Sequence, residues 1–290
     1  MRHNIRTAGR NPPVEGRNGS QTVPSSRNDA KKGEEVGRGL EQVIAQAVFV
    51  GVRVGMVMVF APFFGSLSIP ARVKFGLTVA LTALLYPVYA PRSIDLANLS
   101  WCKVVGGEVI VGLLLGLTLT FVVEGAELAG QILGFQLGYS LVNVIDPQTQ
   151  VDTPVLSIFH QSIVVLLFLQ LGVHHWLLRG LAKSFEYLPP GVVSATPAAT
   201  EGLIHAAGAM LVIAVQIAAP ALSATLLADI ILGLIGKASA QLPVMFIGLS
   251  VKALVGFLVI MGSLRYWPVL MDRYFLRALQ SAEHLLQLAR

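Results

Sequence analysis

The sequence has a single cysteine, Cys102, which excludes an intramolecular disulfide and any cysteine-rich metal site. Charge is scarce as well: Asp, Glu, Lys and Arg make up 13% of the 290 residues, against 54% hydrophobic residues. With a mean hydropathy of +0.69, the chain is too apolar for a soluble domain of this length and reads as an all-α integral membrane protein. Also missing are a GxxxxGK[ST] phosphate loop, HExxH, CxxC and a GxSxG elbow, so ATP hydrolysis falls away and no catalytic residue or cofactor is expected. His160, His174 and His175 are the candidate metal ligands. His174 and His175 are adjacent and point to different helix faces, so they read as helix-end histidines at a membrane interface, and no metal is expected. The formal net charge of +5 comes largely from the two ends. It speaks of membrane-surface or tail contacts rather than of nucleic acid, and no RNA- or DNA-binding module is present.

What is present divides into three parts. Residues 1–39 are rich in Arg, Asn, Gly, Pro and Ser, with Arg2, Arg6, Arg10, Arg17, Arg27, Lys31, Lys32 and Arg38. They read as a disordered basic extension or as sequence upstream of the true start, with Val36 and Val43 as alternative starting points. Residues 40–265 carry six apolar segments, beginning near Val43, Val73, Val104, Val155, Leu203 and Val244, each of about the length that crosses 30 Å of hydrocarbon. Breaks are marked at Ala61-Pro62, at Ala90-Pro91 and at Leu188-Pro189-Pro190-Gly191. Ser100 and Thr196-Pro197 serve as helix starts. The fifth segment, Leu203 to Ile235, is too long for one straight span and predicts a kink or hairpin near Pro220. Residues 266–290 read as a basic amphipathic helix whose Leu276, Leu279, Leu285, Leu286 and Leu288 face lipid or a partner. Positive charge in the short loops puts both termini in the cytoplasm, although Arg72, Lys74 and Lys237 oppose that assignment.

The stretch from Glu124 to Thr153 breaks the apolar pattern, gathering acids, amides and glycines. Ala126, Gly130, Gly134 and Gly138 recur four apart and form a face with almost no side-chain bulk, against which another backbone can pack; Gly112 and Gly116 repeat the device. Asp146-Pro147 stops the helix and Thr153-Pro154 starts another. Between them Tyr139, Leu141, Val142, Val144 and Ile145 are apolar and Asp146, Gln148, Thr149, Gln150 and Asp152 are polar. Such a segment is either an extramembrane loop or backbone that lines a protein cavity at membrane depth.

Ionisable residues inside apolar surroundings are Arg53, Glu108, Glu124, Glu127, Asp229, Lys237 and Lys252. Each costs about 2.5–3.5 kcal/mol at a bilayer centre on insertion scales, so each calls for a partner or a water path. Pairing between subunits accounts for them more simply than a proton relay does, because the acids follow no regular spacing along one helix. Two classes survive this reading: a secondary transporter with broken helices around a midplane site, and a structural subunit whose glycine stripes pack against other subunits to build a conduit.

Four blocks decide further: PFFGSLSIPARVKFGL from Pro62, AELAGQILGFQLGYSLVNVIDPQTQ from Ala126, LFLQLGVHHWLLRGLAKSFEYLPPG from Leu167 and PALSATLLADIILGLIGKASAQLPVMFIGLSVK from Pro220. In order and spacing they resemble the FliR family of flagellar biosynthesis proteins, which includes the equivalent subunit of virulence type III secretion; the second and third blocks favour the flagellar branch. The resemblance covers roughly Val43 to Leu264. It implies a single-copy subunit of a hetero-oligomeric export gate in the bacterial inner membrane, at the flagellar basal body. Its implied companions are several P-type and Q-type gate proteins and the B-type specificity switch protein, and its cargo is unfolded flagellar subunits. It further implies that the apolar segments fold as bent helical hairpins, much of the assembly being raised out of the bilayer plane. The segment from Pro220 through Gln241 and Lys252 is similar to the Q-type subunit. In that family the loop after the glycine-striped helix plugs the closed pore. Here that loop is Gly138 to Gln150, with Gly138, Tyr139, Leu141, Val144, Asp146 and Pro147 as plug residues.

Overall fold

The computed structural model describes residues 25–66, 69–89, 101–139, 155–190, 197–238 and 244–288, and every regular element among them is a helix. The elements run α1 (Ser25–Phe60), α2 (Ala71–Tyr89), α3 (Trp101–Gln136), α4 (Val155–Gln170), α5 (Val173–Tyr187), α6 (Pro197–Ala238), α7 (Val244–Ser263), a 3-10 turn (Leu264–Tyr266) and α8 (Trp267–Leu288). The chain divides into an N-terminal unit, Met1–Glu41, and a main unit, Gln42–Arg290. In the former, α1 starts at Ser25, so residues 25–39 are helical where disorder is expected from composition. The reason is local: Ala30, Lys31, Lys32, Glu34 and Glu35 are helix-favouring types. Residues 1–24, like the cap Ser100 and the break Ala90-Pro91, lie outside the described residues.

Among the described residues, five helical segments are long and apolar enough to cross a membrane, and α4 with α5, bent by 67° at their junction, make a sixth when the pair is counted as one span. The six apolar segments of the sequence are therefore all present. The bend has a definite cause. Gly172 adopts φ +68, a left-handed conformation that glycine takes without steric cost, and its N–H turns back to the Leu169 carbonyl at 3.1 Å, so α4 stops and α5 restarts in a new direction.

The main unit is built around α3, a 36-residue helix about 54 Å long. It packs on α4, α5, α6 and α8. Leu115, Leu119, Ala126, Ala129 and Leu133 from α3 share the core with Phe168, Leu177, Met271, Phe275 and Leu286, all fully buried. Missing side-chain bulk sets how closely the helices approach. A Cβ on Gly112 would lie 2.6 Å from the Arg53 carbonyl oxygen of α1, one on Gly125 2.9 Å from the Met210 carbonyl oxygen of α6, and one on Gly130 2.7 Å from the Leu156 carbonyl oxygen of α4. Thr120 reinforces the first contact by donating its hydroxyl to the Phe60 carbonyl.

Two expectations are corrected. Of the kink or hairpin expected near Pro220, the hairpin is absent: α6 continues as one 42-residue helix through it. A single proline removes one backbone bond, and a membrane helix tolerates that loss when its surroundings hold it straight enough to continue. Secondly, the apolar side of the C-terminal helix faces its own chain. Leu279 and Leu286 are buried beside Met271 and Phe275 in the shared core, while Leu276 is 38% exposed.

α2 differs from α3 in kind: none of its residues is fully buried. It begins after Pro70, whose carbonyl accepts from the Val73 N–H at 2.9 Å, and the Lys74 ammonium ties its first turn to the Gly65 carbonyl at 2.9 Å. Phe75, Val79, Leu84 and Val88 are all exposed, an apolar surface that lipid or another protein must cover.

Candidate functional site

Arg53 sits at 0% exposure on α1, and its Nε donates to Glu108 Oε2 of α3 at 2.6 Å, with both side chains fully buried. Its Nη1 donates to the Ser184 hydroxyl of α5 at 3.2 Å, and its guanidinium carbon lies 4.3 Å over the Phe185 ring. One side chain thus holds three helices at a common level, through a charge-assisted bond, a neutral bond and a cation–π contact. Nη2 is buried and has no partner. Pairing answers the cost that the sequence assigns to Arg53 and Glu108, but it does so within the chain, where pairing between subunits is the sequence expectation.

The other acids are arranged similarly. Asp229 of α6 accepts from Lys252 of α7 at 3.0 Å and from the Gln136 amide, at the end of α3, at 3.1 Å. Glu127 accepts from Gln161 of α4 at 2.6 Å and lies 3.5 Å from the Gln131 amide. These amide partners escape a charge-based reading, although Gln136 and Gln161 are themselves polar residues at conspicuously apolar levels. Glu124 makes no ion pair among the described residues. It lines a cavity of about 670 Å³ with Phe63, Thr120, Val123 and Gln161.

The histidines are structural as placed. His160 is fully buried, its Nδ1 lies 2.7 Å from the Leu156 carbonyl and its ring is 5.0 Å from that of Trp267. His174 and His175 do not diverge as helix geometry alone predicts. At the first turn after Gly172 their ring centroids come within 4.0 Å. No group of three His, Cys, Asp or Glu among the described residues is placed to hold a metal ion.

The end of α3 is a Schellman motif. The Tyr139 N–H donates to the Gly134 carbonyl at 3.0 Å and the Gly138 N–H to the Phe135 carbonyl at 3.1 Å, with Gly138 left-handed at φ +82, as this cap requires. Gly138 therefore ends the helix and does not extend the stripe. Of the stripe, Ala126 is buried and Gly130 meets α4, while a Cβ on Gly134 would touch nothing within 4 Å. Gly116, like Gly112, faces α1, at Phe60. Gly125, which falls outside the four-residue spacing, turns out to be the contact point with α6.

Tyr139 is 49% exposed and meets the Phe257 ring edge-on at 6.3 Å between centroids. Leu141, Val144, Asp146 and Pro147 lie outside the described residues. Their segment leaves from the capped end of α3 and returns at the start of α4, and these two helices are fastened together at Gly130 and Ser157.

Residues 44–278 match the family model described as bacterial export proteins, family 1. The chain is similar to the flagellar biosynthetic protein FliR of Bacillus subtilis, 29% identical over 247 residues, which cover 83% of this chain and 94% of the relative. It is 28% identical to FliR of Escherichia coli over 196 residues, 68% of this chain and 75% of the relative. It also resembles the secretion system apparatus protein SsaT of Salmonella typhimurium, at 25% identity over 206 residues, 70% of this chain and 79% of the relative.

Proposed function

The chain belongs to the bacterial export proteins, family 1, and from that membership we propose that it is a structural and gating subunit of the flagellar type III export gate, part of the path by which unfolded flagellar subunits leave the cell. The match along 44–278, which reaches into every helix of the main unit, is the observation that carries this reading. Relatives named for flagellar biosynthesis and for a secretion apparatus share this one chain type, so the common task is export rather than flagellar structure as such.

The proposed division of labour separates a fixed part from a moving one. α3 is the fixed part, packed against α4, α5, α6 and α8 and locked to α1 and α5 by Arg53. The segment from Gly138 to Gln150 is the moving part, a plug held at both ends by the α3–α4 pair. Tyr139, Leu141 and Val144 supply an apolar seal that excludes ions from a narrow path, and Asp146-Pro147 stiffens the return. Opening is a change between two packings of this segment, biased by the arriving polypeptide and driven by other subunits and the proton-motive force. The companions are P-type and Q-type gate proteins and the B-type switch protein, in the bacterial inner membrane at the flagellar basal body. The chain has no catalytic role in this scheme.

Removing residues 139–145 tests the plug. An otherwise assembled gate lacking them is expected to leak small ions, read as dissipation of membrane potential in cells or vesicles. An assembled gate with an unchanged leak would reject the assignment.

A further inference from the structure

α3, α6 and α8 enclose a cavity of about 690 Å³ that neither the ion-pair network nor the plug uses. Its polar and apolar linings come largely from different helices. α6 and α8 meet at one end, where Gly202 lies against Leu285, and α8 supplies the polar residues Arg277, Gln280, Ser281 and His284. α3 and α6 supply Phe121, Val122, Ala209, Val212 and Ile213.

We propose that this cavity binds an anionic phospholipid, with the headgroup at Arg277 and an acyl chain along Phe121 and Ile213. Three observations fit that occupant. Arg277 is exposed and makes no ion pair among the described residues, whereas nearby Glu283 is already engaged by Lys183 at 3.5 Å and Glu201 lies 3.9 Å from His205. The free charge at the mouth is therefore positive, and a phosphate oxygen completes it with a charge-assisted hydrogen bond. The volume lies in the range of about 300–1,000 Å³ typical of small-molecule sites. A partner helix about 10 Å across would fill it within about two turns, so the space suits a chain of methylenes better than a helix. Finally, α6 lies in a segment apolar enough to span a membrane, whereas α8 is amphipathic and carries Arg273 and Arg277, so an apolar wall beside a basic one has the polarity of a lipid in its leaflet.

The test is lipid retention by the full-length chain, extracted in mild detergent with its native companions. Bound lipids are identified by mass, and phosphatidylglycerol is then competed against phosphatidylcholine. Phosphatidylglycerol is expected to stay bound and to resist an equal amount of phosphatidylcholine. Arg277→Gln is expected to lower its retention about fivefold, the loss of one basic contact. Ala209→Phe fills the trough and is expected to lower retention while leaving Arg277 in place. Equal retention of both lipids would overturn the proposal, as would unchanged retention in both variants, or a polypeptide captured by a photo-crosslinker at position 209. Should either variant fail to accumulate, the competition on the unaltered chain decides alone.

Discussion

At the scale of single residues, the buried pair of Arg53 and Glu108 ties α1 to α3, and Arg53 reaches on to Ser184 of α5. Removing one partner of a fully buried pair strands the other charge, which costs about 3–5 kcal/mol, and here the guanidinium already has one unpartnered nitrogen. Glu108→Ala is therefore expected to lower the thermal unfolding temperature of the extracted chain sharply. The double variant Arg53→Met with Glu108→Leu is expected to recover most of the loss, because two apolar side chains of similar size leave no charge behind. Equal losses in single and double variants would show that the pair's charge is not what matters. Asp229→Asn should be far milder, within about 1 kcal/mol, since the Asp229 side chain is 42% exposed. The sequence singles out all these residues, because charge in an apolar run is conspicuous. It does not reveal that Arg53 meets Glu108 across 55 positions, since nothing local distinguishes a partner in the same chain from one in another subunit.

At the scale of elements, the two glycines of one stripe have different neighbours and should behave differently. Gly130→Leu drives a side chain into the backbone of α4 and is expected to prevent the chain itself from folding, read as loss of protein at normal synthesis. Gly134 faces open space in this chain. Gly134→Leu is expected to leave the chain folded yet to block assembly if a companion backbone covers that face, so recovery of a full-size complex would show that it is no interface. Pro220→Ala tests the continuity of α6. It restores a backbone donor to an unbroken helix and should leave assembly and export intact, whereas a hairpin would lose its turn. Helix ends were legible where proline interrupts an apolar segment, as at Pro62 and Pro189. Pro220 misleads because its neighbours on both sides are apolar and helix-forming, and there the long-range packing of α6 on α3 overrides the local signal. The Schellman cap at Gly138 was readable in principle, since a glycine followed by a hydrophobic residue, here Tyr139, is a common sequence of such an ending.

For the whole molecule, the membrane class was evident from composition, and the number of apolar segments from their breaks. Which apolar faces form the core was not: Met271, Phe275 and Leu286 are fully buried, yet Phe75, Leu84 and Phe135 are exposed, although all are equally hydrophobic. Periodicity marks a face as apolar without saying whether lipid, a companion or the same chain covers it. The large exposed apolar area of α2 and its neighbours is the physical reason to expect companions, which under the proposed function are export-gate proteins. The most direct measurement is the native mass of the tagged chain, gently extracted from its host membrane, together with the identity of whatever accompanies it. The account predicts a heteromeric particle holding one copy of this chain and several small apolar proteins. A lone monomer or homodimer that survives equally gentle extraction would contradict it.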